Sequence, residues 1–186
     1  MIFPSVWRLW LLFVLLPGTL SQDCQRLKLQ QDLIKNAENI LSKMGRSFPF
    51  RCAPERQSLR TKPLNLHQLV KGLEAQDKIQ IVHQILRHII KIYSMNMASV
   101  TWPRDMVENF RLHLDRELGE LEECVRKPGS ESRLKRNAAI HQYFRKLRKF
   151  LKQKRFGDCA WEIIRDETRA RLQQILSITG QIGRKN

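Results

Sequence analysis

Apolar residues recur every three or four positions along most of this chain, and that period predicts helices. Over residues 25–44 the stripe is Leu27, Leu33, Ile34, Ala37, Ile40, Leu41 and Met44, and Gly45 is placed to end it. Over 77–93 it is Ile79, Val82, Leu86, Ile89, Ile90 and Tyr93, with Asp77 as the expected N-cap. Thr101-Trp102-Pro103 opens a third helix, Thr101 capping and Pro103 in the first turn, which continues through Val107, Phe110, Leu114, Leu118, Leu121 and Val125. Pro128-Gly129 breaks the chain, and a fourth helix is expected from about Leu134 to Phe156. A fifth starts near Cys159, past Gly157-Asp158, and runs through Trp161, Ile164, Leu172 and Ile175 towards Ile178. No strand-like alternation competes. Five helices, each with one apolar face, require an all-α bundle. Residues 45–76, with Pro49, Pro54 and Pro63, lack this periodicity apart from a short helix expected over 66–73. A connection that long suits the overhand crossover of an up-up-down-down bundle, and such loops are usually functional.

The N-terminus carries a different pattern. Leu9 to Leu16 form an apolar core broken by Pro17-Gly18, and Thr19 and Ser21 supply small residues for cleavage after Ser21. The core is far short of the ~20 residues that a membrane span needs. Residues 1–21 are therefore expected to be a signal peptide, and 22–186 a single secreted helical domain with no transmembrane segment. Cys24, Cys52, Cys124 and Cys159 make an even count, which in an exported chain implies two disulfides with three possible connectivities. The formal net charge of +16 falls by one, to +15, when the leader and its Arg8 are removed, so anionic partners are favoured. No asparagine stands in a glycosylation sequon.

Catalytic chemistry finds no support. His67, His83, His88, His113 and His141 show no metal-ligand spacing and are expected to be solvated, cap-satisfied or in a loop. There is no nucleophile elbow or glycine-rich phosphate loop, and the acidic residues Glu117, Glu120, Glu122 and Glu123 are expected on a solvated helix face. No cofactor or metal is implied. The basic run is more informative, because residues 133–155 hold ten Lys or Arg and no Asp or Glu. Like charges at i,i+4 cost a few tenths of a kcal/mol per pair, so stability alone does not favour such density. Within this run Arg145, Lys146, Arg148, Lys149, Lys152, Lys154 and Arg155 are candidate ligands for heparan-type glycans, against the simpler reading of a solubilising face. Nucleic acid is not the expected partner, since the aromatic residues here lie on the core stripe.

The segment Cys159-Ala160-Trp161-Glu162-Ile163-Ile164-Arg165 closely resembles the last-helix signature of type I interferons. Tyr143 to Leu147 and Phe150 to Lys152 resemble that family's preceding helix, and Trp102 through Cys124 its third long helix. Leu20 to Cys24, Ser47-Phe48-Pro49 and Asp158 to Ile163 look most like the kappa subtype, while Ile178-Thr179-Gly180 resembles avian interferons, pointing to a non-mammalian source. The resemblance implies the pairing Cys24–Cys124 and Cys52–Cys159, with Trp161 packed in the core beside the second bridge. It also implies a monomeric cytokine that bridges two receptor chains, starts JAK–STAT antiviral signalling and has no enzymatic activity. The family's high-affinity chain meets the first long loop and the last helix, where Arg56 and Arg165 match and Arg169 extends the patch. Ala53 stands where leucine is frequent in the family, and Asp166 where a small residue is common. On the opposite face Arg111 and Asp115 replace aromatic residues of some relatives. A cationic glycan- or membrane-binding host-defence protein is the competing reading.

Overall fold

A computed structural model describes residues 27–45, 47–122 and 131–183, with side chains described for 31–45, 47–122 and 136–182. The leader and the predicted Cys24–Cys124 bridge lie outside the described residues. Among the described residues there are seven α-helices and no strand: α1 Leu27–Met44, α2 Ala53–Gln57, α3 Leu66–Leu69, α4 Ala75–Tyr93, α5 Arg104–Glu122, α6 Glu131–Gln153 and α7 Asp158–Gly183. The five long ones are those the apolar period predicts.

Side-chain contacts fix their directions. Glu38 meets Arg169 and Leu41 meets Arg165, so α1 and α7 are antiparallel. His83 lies by Glu122 and Tyr93 by Phe110, so α4 and α5 are antiparallel too. His88 touches both His141 and Arg148 across a groove in which α4 and α6 ascend together. α1 and α4 thus run up, α5 and α7 down, and α6 is a fifth helix running up. The core is continuous, and Trp161 on α7 is fully buried, with the rings of Tyr93 at 5.7 Å and Trp102 at 6.3 Å.

Several boundaries differ from the apolar pattern. α4 begins at Ala75 after an extended Glu74, so Asp77 is not the cap but lies in the first turn, where its charge complements the helix dipole. α5 starts one residue after Pro103, whose carbonyl accepts from Val107 N at 3.2 Å. α6 stops at Gln153 and not at Phe156, because Arg155 (φ 50°) and Phe156 (φ 56°) turn left-handed and Phe156 N returns to Leu151 O at 2.9 Å. α7 extends to Gly183, well past Ile178, and departs from a single apolar face. Glu162, Arg165, Glu167, Thr168, Arg171 and Thr179 are buried on it beside the apolar stripe.

Two expectations about polar residues are also corrected. Glu117 is not on a solvated face: it is 1 % exposed, and neither carboxylate oxygen has a hydrogen-bond partner. His83 is buried, and His88 is half-buried and stacked on Phe144 at 5.0 Å. Their helical positions fall on the inward face, which a spacing search for metal ligands does not register.

Burial, with Glu120 adding repulsion, pushes the Glu117 carboxyl up to about 8. Burial and then Arg148 push His88 down to about 4, while burial and Arg87 lower His83. A carboxyl raised in the fold stays protonated while its unfolded counterpart ionises, so Glu117 makes stability fall as pH rises from 4.5 to about 8. The lowered histidines act oppositely, costing stability as pH falls below 6.5. Between pH 6.5 and 8 the Glu117 effect outweighs what the histidines regain. Denaturant titrations should therefore show wild-type stability falling by about 1 kcal/mol between pH 6.5 and 8. Glu117→Gln should flatten that slope, and an unchanged slope would show that Glu117 is ionised in the fold.

Candidate functional site

The crossover from Gly45 to Glu74 has no sheet to satisfy its backbone, and it is held instead by side chains of α7. The Cys52–Cys159 disulfide, Cα–Cα 5.1 Å, joins the single 3₁₀ turn Phe50–Cys52 to the first turn of α7. Arg51 Nη2 reaches Asp158 Oδ2 at 2.7 Å next to it. Farther along, Arg171 Nη1 donates to Leu64 O at 2.6 Å, and Leu66 N donates to Gln174 Oε1 at 2.9 Å. Asn65 caps α3 by accepting from Gln68 N at 3.1 Å. The loop is thus laced to one helix from Arg51 to Leu66.

This lacing brings the Arg56 side chain against α7. Its guanidinium pairs with Asp166, approaches Glu167 Oε1 at 3.5 Å, and lies over the Phe48 ring at 5.2 Å. Tyr143 on α6 donates to the other Glu167 oxygen at 2.6 Å, fixing that carboxylate. Asp166, noted above as a departure from the family pattern, is therefore the partner that holds Arg56. Arg169 pairs with Glu38 of α1 at 2.9 Å, and Gln173 Nε2 shares that carboxylate at 3.0 Å. Arg56 and Arg169 keep 40 % and 42 % of their side-chain surface exposed.

Arg165 is placed differently. It is 4 % exposed, with Nε and Nη2 on Glu162 Oε2 at 3.0 and 2.8 Å and Nη1 on Leu41 O at 3.2 Å. Trp102 Nε1 donates to the other Glu162 oxygen at 2.6 Å. In this conformation the guanidinium is out of a partner's reach, and Arg165 is a core cation beneath the surface that Arg56 and Arg169 share. Phe50, which the apolar period does not single out, is 92 % exposed beside Arg51. The signal for it was an aromatic belonging to no apolar stripe, in a cysteine-containing loop.

The basic run divides as well. Arg145, Arg148, Lys149 and Lys152 line a groove against α4 with Lys91, whereas Lys146 faces a second groove with Arg60, Lys62 and Arg136. Lys154 and Arg155 sit in the turn after α6. Among the described residues, no group of three His, Cys, Asp or Glu could hold a metal ion, and no helix is long and apolar enough to cross a membrane.

A family model described as the interferon alpha/beta domain matches residues 27–182. This chain belongs to the type I interferon family. It is 29 % identical to human interferon alpha-7 over 135 residues, 69 % of each chain. It is 26 % identical to interferon beta of Tachyglossus aculeatus aculeatus over 148 residues, covering 77 % of this chain and 78 % of that one. The solved structure of zebrafish interferon 1 superposes with a TM-score of 0.70 at 28 % identity, covering 84 % of this chain and 97 % of its own. The interferon fold is that of a helical cytokine, not of an enzyme.

In this interferon, removing one member of the buried pair leaves the other unpaired in the core, a change that typically costs ~3–5 kcal/mol. Arg165→Ala should accordingly lower the denaturation midpoint in both thermal and urea unfolding. Gly45→Ala should act through the same residue, since a Cβ there would stand 2.7 Å from Arg165 Cζ and Nε. Unfolding midpoints within error of wild type for both variants would show that this network contributes nothing.

Proposed function

We propose that this interferon is secreted after removal of residues 1–21 and acts as a monomer. It bridges the two chains of the type I interferon receptor and so triggers JAK–STAT antiviral signalling. One observation carries the reading: the Cys52–Cys159 bridge and the Arg56–Asp166 pair hold the first crossover against α7, the two segments that meet the high-affinity chain in this family. The resulting surface suits a protein partner. Arginines already fixed by carboxylates present a planar fork at small entropic cost, and Phe50 offers an exposed aromatic anchor of the kind that dominates binding energy. The site residues are then Arg56 and Arg169, with Phe50 added and Arg165 supporting them from beneath.

We extend the proposal to a kappa-like, non-mammalian subtype on the segments quoted above, though several of their residues carry structural duties in this fold. Phe48 lies under Arg56, Asp158 pairs with Arg51, and Trp161 fills the core.

Arg56→Ala and Phe50→Ala should each weaken binding to the high-affinity receptor ectodomain about tenfold or more, with helicity and melting temperature nearly unchanged. Arg169→Ala should weaken it less, because its pairing with Glu38 is at the rim. Surface plasmon resonance and an interferon-response reporter in receptor-null and matched cells provide the check. Wild-type affinity for Arg56→Ala would remove the site, and signalling in receptor-null cells would favour a membrane-active protein instead.

A further inference from the structure

A hollow of about 950 Å³ lies between the crossover and α6. Arg60 and Lys62 stand on its loop wall, Arg136 and Lys146 on its helix wall, and no Asp or Glu lines it. Among the described residues none of these four has a carboxylate within ion-pair distance. The rest of the lining is largely apolar, with Pro63, Leu64 and Leu69 facing Ala139 and the buried Tyr143.

Both walls are fixed from beneath by one residue. Arg171 on α7 is 4 % exposed; its Nη1 donates to Leu64 O at 2.6 Å, and its guanidinium lies over the Tyr143 ring at 5.6 Å. No carboxylate among the described residues comes within ion-pair distance of it, so a buried positive charge stands behind the lining. Asn65 caps α3 and Gln174 holds Leu66 N, so the loop wall has its shape before any ligand arrives. Such preorganisation lowers the ordering cost of binding. The hollow adjoins the Arg56 site at Tyr143, whose hydroxyl donates to Glu167 Oε2 at 2.6 Å, while Glu167 Oε1 is 3.5 Å from Arg56 Nη2.

We propose that this hollow receives an acidic, extended segment of the receptor chain that Arg56 and Arg169 meet, an inference that rests on the receptor reading above. Arg136 and Lys146 are separated by ~15 Å along α6 at 1.5 Å per residue, a span that an extended chain covers in about five residues. Alternate residues of such a segment share a side. A central apolar side chain with a carboxylate two places before and after it therefore matches an apolar floor set between cations. Arg60 and Arg136 offer planar forks for those carboxylates, and the apolar floor supplies the desolvated anchor point that a protein partner uses. A sulfated glycan has no apolar group for that floor. Membrane binding needs apolar side chains that project into the bilayer, whereas these are recessed between the walls.

The test measures binding of the whole interferon to the high-affinity receptor ectodomain by surface plasmon resonance, with circular dichroism as the check on folding. Arg136→Gln with Lys146→Gln removes the charge of the helix wall, and Lys149→Gln with Lys152→Gln removes two cations from another face of α6. The first pair should weaken binding about fivefold or more, and the second less than about twofold. Ala139 is exposed, and substitution there separates charge from bulk. Ala139→Glu should weaken binding about tenfold and Ala139→Gln less than about threefold. Equal effects of the two double variants, or of Glu and Gln at position 139, would overturn the acidic segment. Weaker retention on heparin for the Arg136 and Lys146 pair, with receptor affinity unchanged, would make the hollow a glycan surface instead. Arg56→Ala in the same assay keeps the two readings apart. Wild-type affinity there removes the receptor site itself, whereas a loss there with none at the hollow overturns the hollow alone.

Discussion

Arg165 and Glu162 form an ion pair inside the bundle, and much of the arrangement around α7 depends on its being complete. The first turns of α7 are buried on most sides, so the charge of Arg165 needs its counter-charge within the protein. Glu162 meets that need, and Arg165 also caps Leu41 O, one of the last carbonyls of α1 that no intrahelical donor can reach. Glu162 accepts from Trp102, just before α5 begins. The pair thus ties the end of α1, the approach to α5 and the first turns of α7 in one network. A buried ion pair is weak evidence for net stability, since apolar residues of similar size can do as well. Its effect here is on register: a helix buried on most sides could slide or rotate among apolar neighbours, and only one setting satisfies every member of this network.

The same helix organises the crossover. Thirty residues without a ladder would ordinarily cost much conformational entropy for few contacts. The Cys52–Cys159 bridge reduces the freedom of the unfolded chain, an effect of ~4–5 kcal/mol in the chain-entropy model for a loop of about a hundred residues. Polar side chains of α7 then take up individual loop groups, Leu64 O by Arg171 and Leu66 N by Gln174. The proposed recognition surface is therefore a by-product of how α7 satisfies a loop, with Arg56 held by Asp166 in the free protein.

How much of this could be read from residue order follows from the range of each effect. The five long helices were legible because their apolar period is local, and so was the crossover, by its lack of one. Cys52–Cys159 was legible only through resemblance, since spacing alone leaves three pairings open. Helix ends were less so: the left-handed turn at Arg155 and Phe156 arises on residues with no intrinsic preference for it. Arg165 shows the sharper limit. Its match to a family motif suggested a surface contact, but the motif is compatible with a buried role, and only packing against Gly45, Leu41 and Glu162 decides between them. Phe50 is the converse, an apolar residue exposed because the loop carrying it is fastened at Cys52. The cationic hollow beside the crossover was invisible because Arg60 and Lys62 lie some seventy residues or more before Arg136 and Lys146, which they face.

The two arginine-bearing faces differ in kind. On the α7 face Arg56 and Arg169 are paired with Asp166 and Glu38, so their long-range fields largely cancel. What such a surface offers a partner is fixed shape and fixed donors, which act once contact is made. On the α4–α6 face the cations have no counter-charge, and their field extends about a Debye length, ~8 Å at physiological salt. That field raises the rate of encounter with an anionic partner and carries little information about its shape. Charge on the α4–α6 face acts at a distance and that on the α7 face chiefly at contact, so added salt should weaken the first effect far more than the second.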